Sequence, residues 1–128
     1  MNKIIHEKFT IKLIKENFLS LEIHQNQVIE ADDIHLIYQG YEKLIGENEY
    51  VVAVYGNNFS SISAEAREIA ASKYASKKRK KVALISNNIA NILIVKFFIN
   101  WNKPQTPIKI FKSEERAFEW LESGSSII

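Results

Sequence analysis

Nine small polar residues carry most of the chemistry this sequence can offer: Asn57, Asn58, Ser60, Ser61, Ser63, Ser86, Asn87, Asn88 and Ser113. Amides and hydroxyls of this kind donate to and accept from an anion or a peptide backbone. Each group of them follows an apolar run, where helix N-termini would add further donors. The same residue types terminate strands and cap helices, so turn chemistry alone also accounts for them. Patterns for catalysis are missing. None of the serines stands in a Gly-x-Ser-x-Gly elbow, and four glycines build no phosphate loop. His6, His24 and His35 fall in separate segments without a metal-ligand spacing. Asp32 and Asp33 are neighbours at a helix start, where carboxylates serve the helix dipole. The apolar run 50–55 ends in Tyr55 and Gly56, not in the aspartate of a receiver phosphoacceptor. With no cysteine there is no thiol nucleophile, disulfide or cysteine-built zinc site. These absences predict a protein that is not an enzyme and takes no metal or cofactor.

A second feature is apolar. Ile89, Ala90, Ile92, Leu93, Ile94, Val95, Phe97, Phe98, Ile99 and Trp101 surround almost the whole of one helical segment, relieved mainly by Asn91, Lys96 and Asn100. One sheet face cannot cover such a cylinder. Neighbouring helices cover its flanks, or it meets a second subunit, walls a pocket or exposes a patch. A homodimer would use Ile94, Phe97, Phe98 and Trp101 for self-association. A pocket would take an apolar small molecule.

The elements that position these residues follow from periodicity. Phe9, Ile11 and Leu13, then Leu19, Leu21 and Ile23, alternate with polar residues around Lys15 to Asn17, which reads as a hairpin with one wet face. Ile34, Ile37, Tyr38, Tyr41, Leu44 and Ile45 have helical spacing, after acidic Glu30, Asp32 and Asp33 and before Gly46. Tyr50 to Tyr55 and Val82 to Ile85 are continuous apolar strands of the kind buried on both faces. Ser63 caps a helix over Ala64 to Lys78 with a small-residue face, Ile89 to Trp101 is the third helix, Ile108 to Phe111 is a last strand, and Ser113 opens a final helix through Leu121. The order β β α β α β α β α predicts an α/β fold. Its mixed five-stranded sheet begins with an antiparallel hairpin and continues through parallel βαβ crossovers, with four helices. Parallel strands bring the loops after Tyr55, Ile85 and Phe111 to one sheet edge, where open α/β folds bind ligands.

The chain has 128 residues, 46% hydrophobic and 25% charged, values of one globular domain and not of a disordered or repetitive protein. The expected domain spans 1–128, with its core at about 9–122 and 123–128 as a frayed tail. A net charge of +2 conceals an uneven distribution: residues 1–64 hold five Lys against nine acids, and 65–128 hold twelve Lys and Arg against six. Lys77, Lys78, Arg79, Lys80 and Lys81 form one basic run, a solvated helix end without the interleaved aromatics that stack bases, so no nucleic-acid partner is expected. The longest apolar run, Ile92 to Ile99, is broken by Lys96 and too short to span a bilayer. Lys3, His6, Glu7, Lys8 and Lys12 break up the start of the chain, which reads as cytoplasmic and not as a secretory signal.

The element order and the closing "IKIFKSEERAFEWL", with Ile108, Phe111, Ala117, Trp120 and Leu121, resemble the SpoIIAA-like branch of STAS domains, the anti-sigma factor antagonist fold. Within it the chain looks like small stand-alone bacterial proteins of the Bacteroidetes type, over roughly residues 9–122. The resemblance implies a non-catalytic regulatory or protein-interaction module whose partner face lies at Asn57, Asn58, Ser60, Ser61, Ser63 and Arg67. It implies a signalling kinase or phosphatase as partner class. In such signalling proteins a kinase phosphorylates a serine in an Asp-Ser-Ser-Gly-like context. Here "GNNFSSISAEAR" offers Ser60, Ser61 and Ser63 but lacks that Asp and Gly. A more distant likeness to lipid-carrying CRAL-TRIO domains implies an apolar ligand.

Overall fold

Alternation of apolar and polar residues dictates how the sheet starts. Strands β1 (Lys3–Ile5), β2 (Phe9–Lys15) and β3 (Phe18–Ile23) form an antiparallel meander in the computed structural model, which describes residues 2–56 and 61–124. Phe9, Ile11, Leu19, Leu21 and Ile23 are buried on one side, and the intervening positions face the other. Asn17 makes the β2–β3 turn at φ 59°, a left-handed conformation that asparagine tolerates. After β4 (Val28–Ile29) comes helix α1 (Ala31–Ile45). Its first turn is fixed by Asp33, whose carboxylate accepts from the Glu30 backbone N–H and the Lys8 ammonium, each at 2.8 Å. Gly46 ends the helix at φ 68°.

The remaining elements are β5 (Tyr50–Tyr55), β6 (Ser61–Ile62), α2 (Ala64–Ala70), α3 (Lys73–Ser76), β7 (Arg79–Ile85), α4 (Ile89–Phe97) with a π-helical turn over Phe98–Asn102, β8 (Ile108–Phe111) and α5 (Glu114–Glu122). Six strands lie in the order β1-β2-β3-β5-β7-β8, antiparallel through β3 and parallel from there on. The expected mixed α/β sheet is therefore the one formed. It differs in detail: β1 extends the expected five strands by one at the edge, and β4 pairs with β6 as a separate two-stranded ribbon.

The helix count is five because the expected Ala64–Lys78 helix divides. Ser72 accepts from the Ala75 N–H at 3.3 Å and starts α3 afresh. The carbonyl of Ala70, which a continuous helix would offer to Tyr74, instead accepts from the Arg79 guanidinium at 2.9 Å. Strand β7 begins three residues earlier than its apolar signature, inside the basic run. A register irregularity pairs Tyr50 with Arg79 but Val51 with Lys81. The bulge changes the phase of the strand, so Arg79 turns to the α1 side and Lys81 to the α5 side.

Two cores result. Helices α1, α2 and α4 cover one face with a large cluster that includes Leu21, Ile37, Tyr41, Val52, Leu84 and Val95. On the other, α5 alone sets Ala117 and Leu121 against Phe18, Ala53, Ala83 and Ile85.

Candidate functional site

The parallel strands end together, as their register requires. Gly56 N–H donates to the Ile85 carbonyl at 3.1 Å, and Ser86 N–H donates to that of Phe111 at 3.0 Å. This edge collects Ser86, Asn87, Asn88 and Ser113, whereas Asn57, Asn58 and Ser60 lie outside the described residues. Ser86 is not available to a partner: it is 1% exposed, its Oγ donates to the Gly56 carbonyl at 2.8 Å, and it accepts from Asn88 N–H at 3.1 Å. It ties β5 to β7, a correction that follows from its place inside the strand ends. Asn88 accepts from Asn91 N–H at 3.2 Å and caps α4, and Ser113 caps α5 through Arg116 N–H at 3.3 Å. Ser63 caps α2 through Ala66 N–H at 3.1 Å. Asn87, Asn88 and Ser61 are exposed.

Arg67, expected on the partner face, lines a surface groove beside Leu93 and Phe97. Its guanidinium reaches toward α4, donating to the Ile62 carbonyl at 2.7 Å and lying 5.0 Å from the Phe97 ring centroid. Its buried Nε has no hydrogen-bond partner among the described residues. Beside it a cavity of about 140 Å³ opens between the sheet and α1, α2 and α4, lined by apolar residues such as Leu21, Ile37, Val52, Leu84, Val95 and Phe98. Two charged side chains border it, Arg67 and Arg79. Buried Arg79 spends its donors on neutral oxygens: Thr106 Oγ1 at 3.1 Å, Tyr38 Oη at 2.9 Å and the Ala70 carbonyl at 2.9 Å. Neither arginine makes an ion pair among the described residues. Burial raises the Tyr38 and Tyr41 hydroxyls above the ordinary phenol range, against a smaller lowering by the Arg79 charge, so both stay neutral at physiological pH.

Helix α4 has two different sides. Ile89, Leu93, Phe97 and Trp101, four residues apart, are 74%, 59%, 47% and 73% exposed. The Phe97 and Trp101 rings stack at 5.9 Å. Val95 and Phe98 face inward and wall the cavity. Phe98, only 9% exposed, therefore cannot serve the self-association expected of it. Ile94 is half-buried and lines a surface groove of about 280 Å³ with Ser61, Ile62, Arg67, Leu93 and Phe97.

Arg79, Tyr38 and Thr106 escaped the reading of the sequence. A cation inside a run of five gives no sign that a bulge will bury it. The histidines are structural where they are bonded: His24 joins Thr10 Oγ1 to the Glu7 carbonyl, each contact at 2.8 Å. Among the described residues no group of three or more His, Cys, Asp or Glu is placed to hold a metal ion, and no helix is long and apolar enough to cross a membrane.

The chain belongs to the family described as a domain of unknown function, DUF7793, whose model matches residues 12–125. Among solved structures it is similar to an uncharacterized protein of the DUF3478 family with a SpoIIAA-like fold from Shewanella loihica PV-4. The two are 14% identical, over 94% of this chain and 90% of that one, with a TM-score of 0.61. That likeness shows a SpoIIAA-like fold, so the resemblance drawn from the closing segment holds at the level of the fold. No curated protein sequence matches the chain.

Proposed function

We propose that this member of the DUF7793 family is a non-enzymatic, cytoplasmic regulatory module of the STAS type that works by protein contact, first of all with a second copy of itself. The observation that carries this reading is the exposed stripe Ile89, Leu93, Phe97 and Trp101 along α4. Two aromatic and two aliphatic side chains in a row are the composition of an interface core more than of a solvated surface. Asn87, Asn88 and Ser61 beside it would supply a polar rim. Ser61, exposed and not engaged as a helix cap, is better placed than Ser63 for a signalling kinase or phosphatase. Size-exclusion chromatography with light scattering tests the contact. The expected result is a dimer that the Leu93→Glu/Trp101→Glu double variant converts to a folded monomer. A parent chain that stays monomeric at high concentration sinks it.

A second reading is a carrier or sensor of an apolar small molecule, favoured by the cavity beneath α4. Native mass spectrometry of the protein purified from cells separates the two, since a carrier retains ligand mass and a pure contact module does not.

A further inference from the structure

The cavity is apolar in its walls and cationic at its border, and the two properties together define a ligand. An engineered apolar cavity of about 150 Å³ stays dry and admits benzene. The 140 Å³ here therefore suits a body of about six carbons and not a long lipid chain. A ligand with no polar end would fit the walls but would leave the border unanswered. Guanidinium groups taken from water need compensation, and neither Arg67 nor Arg79 has a carboxylate among the described residues. Arg79 has its three directions filled by Thr106, Tyr38 and Ala70. Arg67 does not: Nη1 is bonded to the Ile62 carbonyl, while buried Nε has an N–H to give. Arg67 lines both the cavity and the surface groove, so its side chain stands where the interior meets the outside.

Resting on the ligand-binding reading, we infer that the cavity binds a small monocarboxylate, its apolar body of about six carbons between the sheet and α4 and its carboxylate on Arg67 Nε. Charge-assisted hydrogen bonds of guanidinium to carboxylate are about twice as strong as neutral ones, and the low dielectric of the site adds to the preference for an anion. The ligand would reach α4 from within, at Val95 and Phe98, while the exposed stripe lies on the same helix.

The test titrates the purified full chain with hexanoate, hexanol and hexylammonium, by calorimetry and by amide shifts of the cavity residues. Hexanoate is expected to bind at least fivefold more tightly than hexanol, and hexylammonium the most weakly. Arg67→Met, which keeps the apolar bulk, should lose at least fivefold in hexanoate affinity and none in hexanol affinity, the latter showing that the variant is folded with its cavity intact. Should that variant not fold, the parent still decides: the carboxyl of bound ¹³C-labelled hexanoate must titrate below that of the free acid. Equal binding of hexanoate and hexanol, or an unshifted bound carboxyl, overturns the anion site and leaves the cavity reading standing. Failure of all three probes to bind overturns both.

Discussion

The two faces of the sheet are finished in opposite ways. Under α1, α2 and α4 the strands present Leu21, Val52, Val54, Val82 and Leu84, branched side chains that hold three helices off the sheet and leave space between them. Under α5 they present Ala53 and Ala83, and the helix answers with Ala117, so small side chains let backbone approach backbone. Beside the first turn of α5, Thr10, Lys12, Ser20 and Glu22 of the sheet share a polar hollow with Tyr55, which donates a hydrogen bond to Glu114. Side-chain size, not overall hydrophobicity, thus decides which face can hold a ligand: the face with more apolar volume is the one packed less completely.

Substitutions on the two faces put this contrast at risk. The largest effect is expected for Leu121→Ala. Leu121 and Ala117 are the buried residues of α5, so truncation should cost about 3 kcal/mol in urea denaturation and raise amide exchange across 114–122 while α1 stays protected. Exchange that rises equally on both faces would show that the faces do not open separately. A sharper comparison uses two neighbours in β5. Ala53→Val should destabilise by about 2 kcal/mol, because it overpacks a closed face. Val52→Ile places its added methylene against the cavity and should stabilise by about 0.5 kcal/mol. Effects of the same sign would remove the distinction drawn here.

The smallest effect is one of pH. Lys8, on the α1 side, is raised above its ordinary 10.5, chiefly by its hydrogen bond to Asp33. Its contribution is complete below 10.5 and is lost as pH rises through the raised folded value. Lys81, on the α5 side, is lowered below 10.5, by burial first and then by Lys109. Its folded-state cost is present below the lowered value and disappears as pH climbs to 10.5. Lys8→Met should therefore remove an alkaline loss of stability and Lys81→Met an alkaline gain, each under about 1 kcal/mol. Denaturation midpoints between pH 9 and 11.5 would reveal the opposite slopes, and identical slopes would contradict the assignment.

Most of the fold was legible because its signals are periodic. The alternation from Phe9 to Ile23, the valine-rich run at 50–55 and the spacing along α1 each name their element and its buried side. What escaped was short or depended on tertiary contacts. Strand β1 has three residues and β4 and β6 two each, too few to show a period, and they exist because β2 and one another are there to pair with. The break after Ala70 depends on a donor nine residues away. The site was half legible. The surplus of apolar residues on α4 announced either a pocket or a patch, and the helix carries both. Ser86, Asn87, Asn88 and Ser113 share one sheet edge, yet Ser86 is internal, since local sequence does not record on which side of a wall a side chain ends.

Arg79 carries a consequence for how this sequence can drift. One planar group holds a tyrosine of α1, the last carbonyl of α2 and a threonine ahead of β8, in directions set by its five-donor fork. A lysine would keep the charge but forfeit the geometry, so a same-charge exchange there is not conservative. Among chains descended from a common ancestor, positions 38, 79 and 106 should accordingly be inherited as a set, and a lineage that has abandoned the arginine should have replaced the tyrosine and threonine with it.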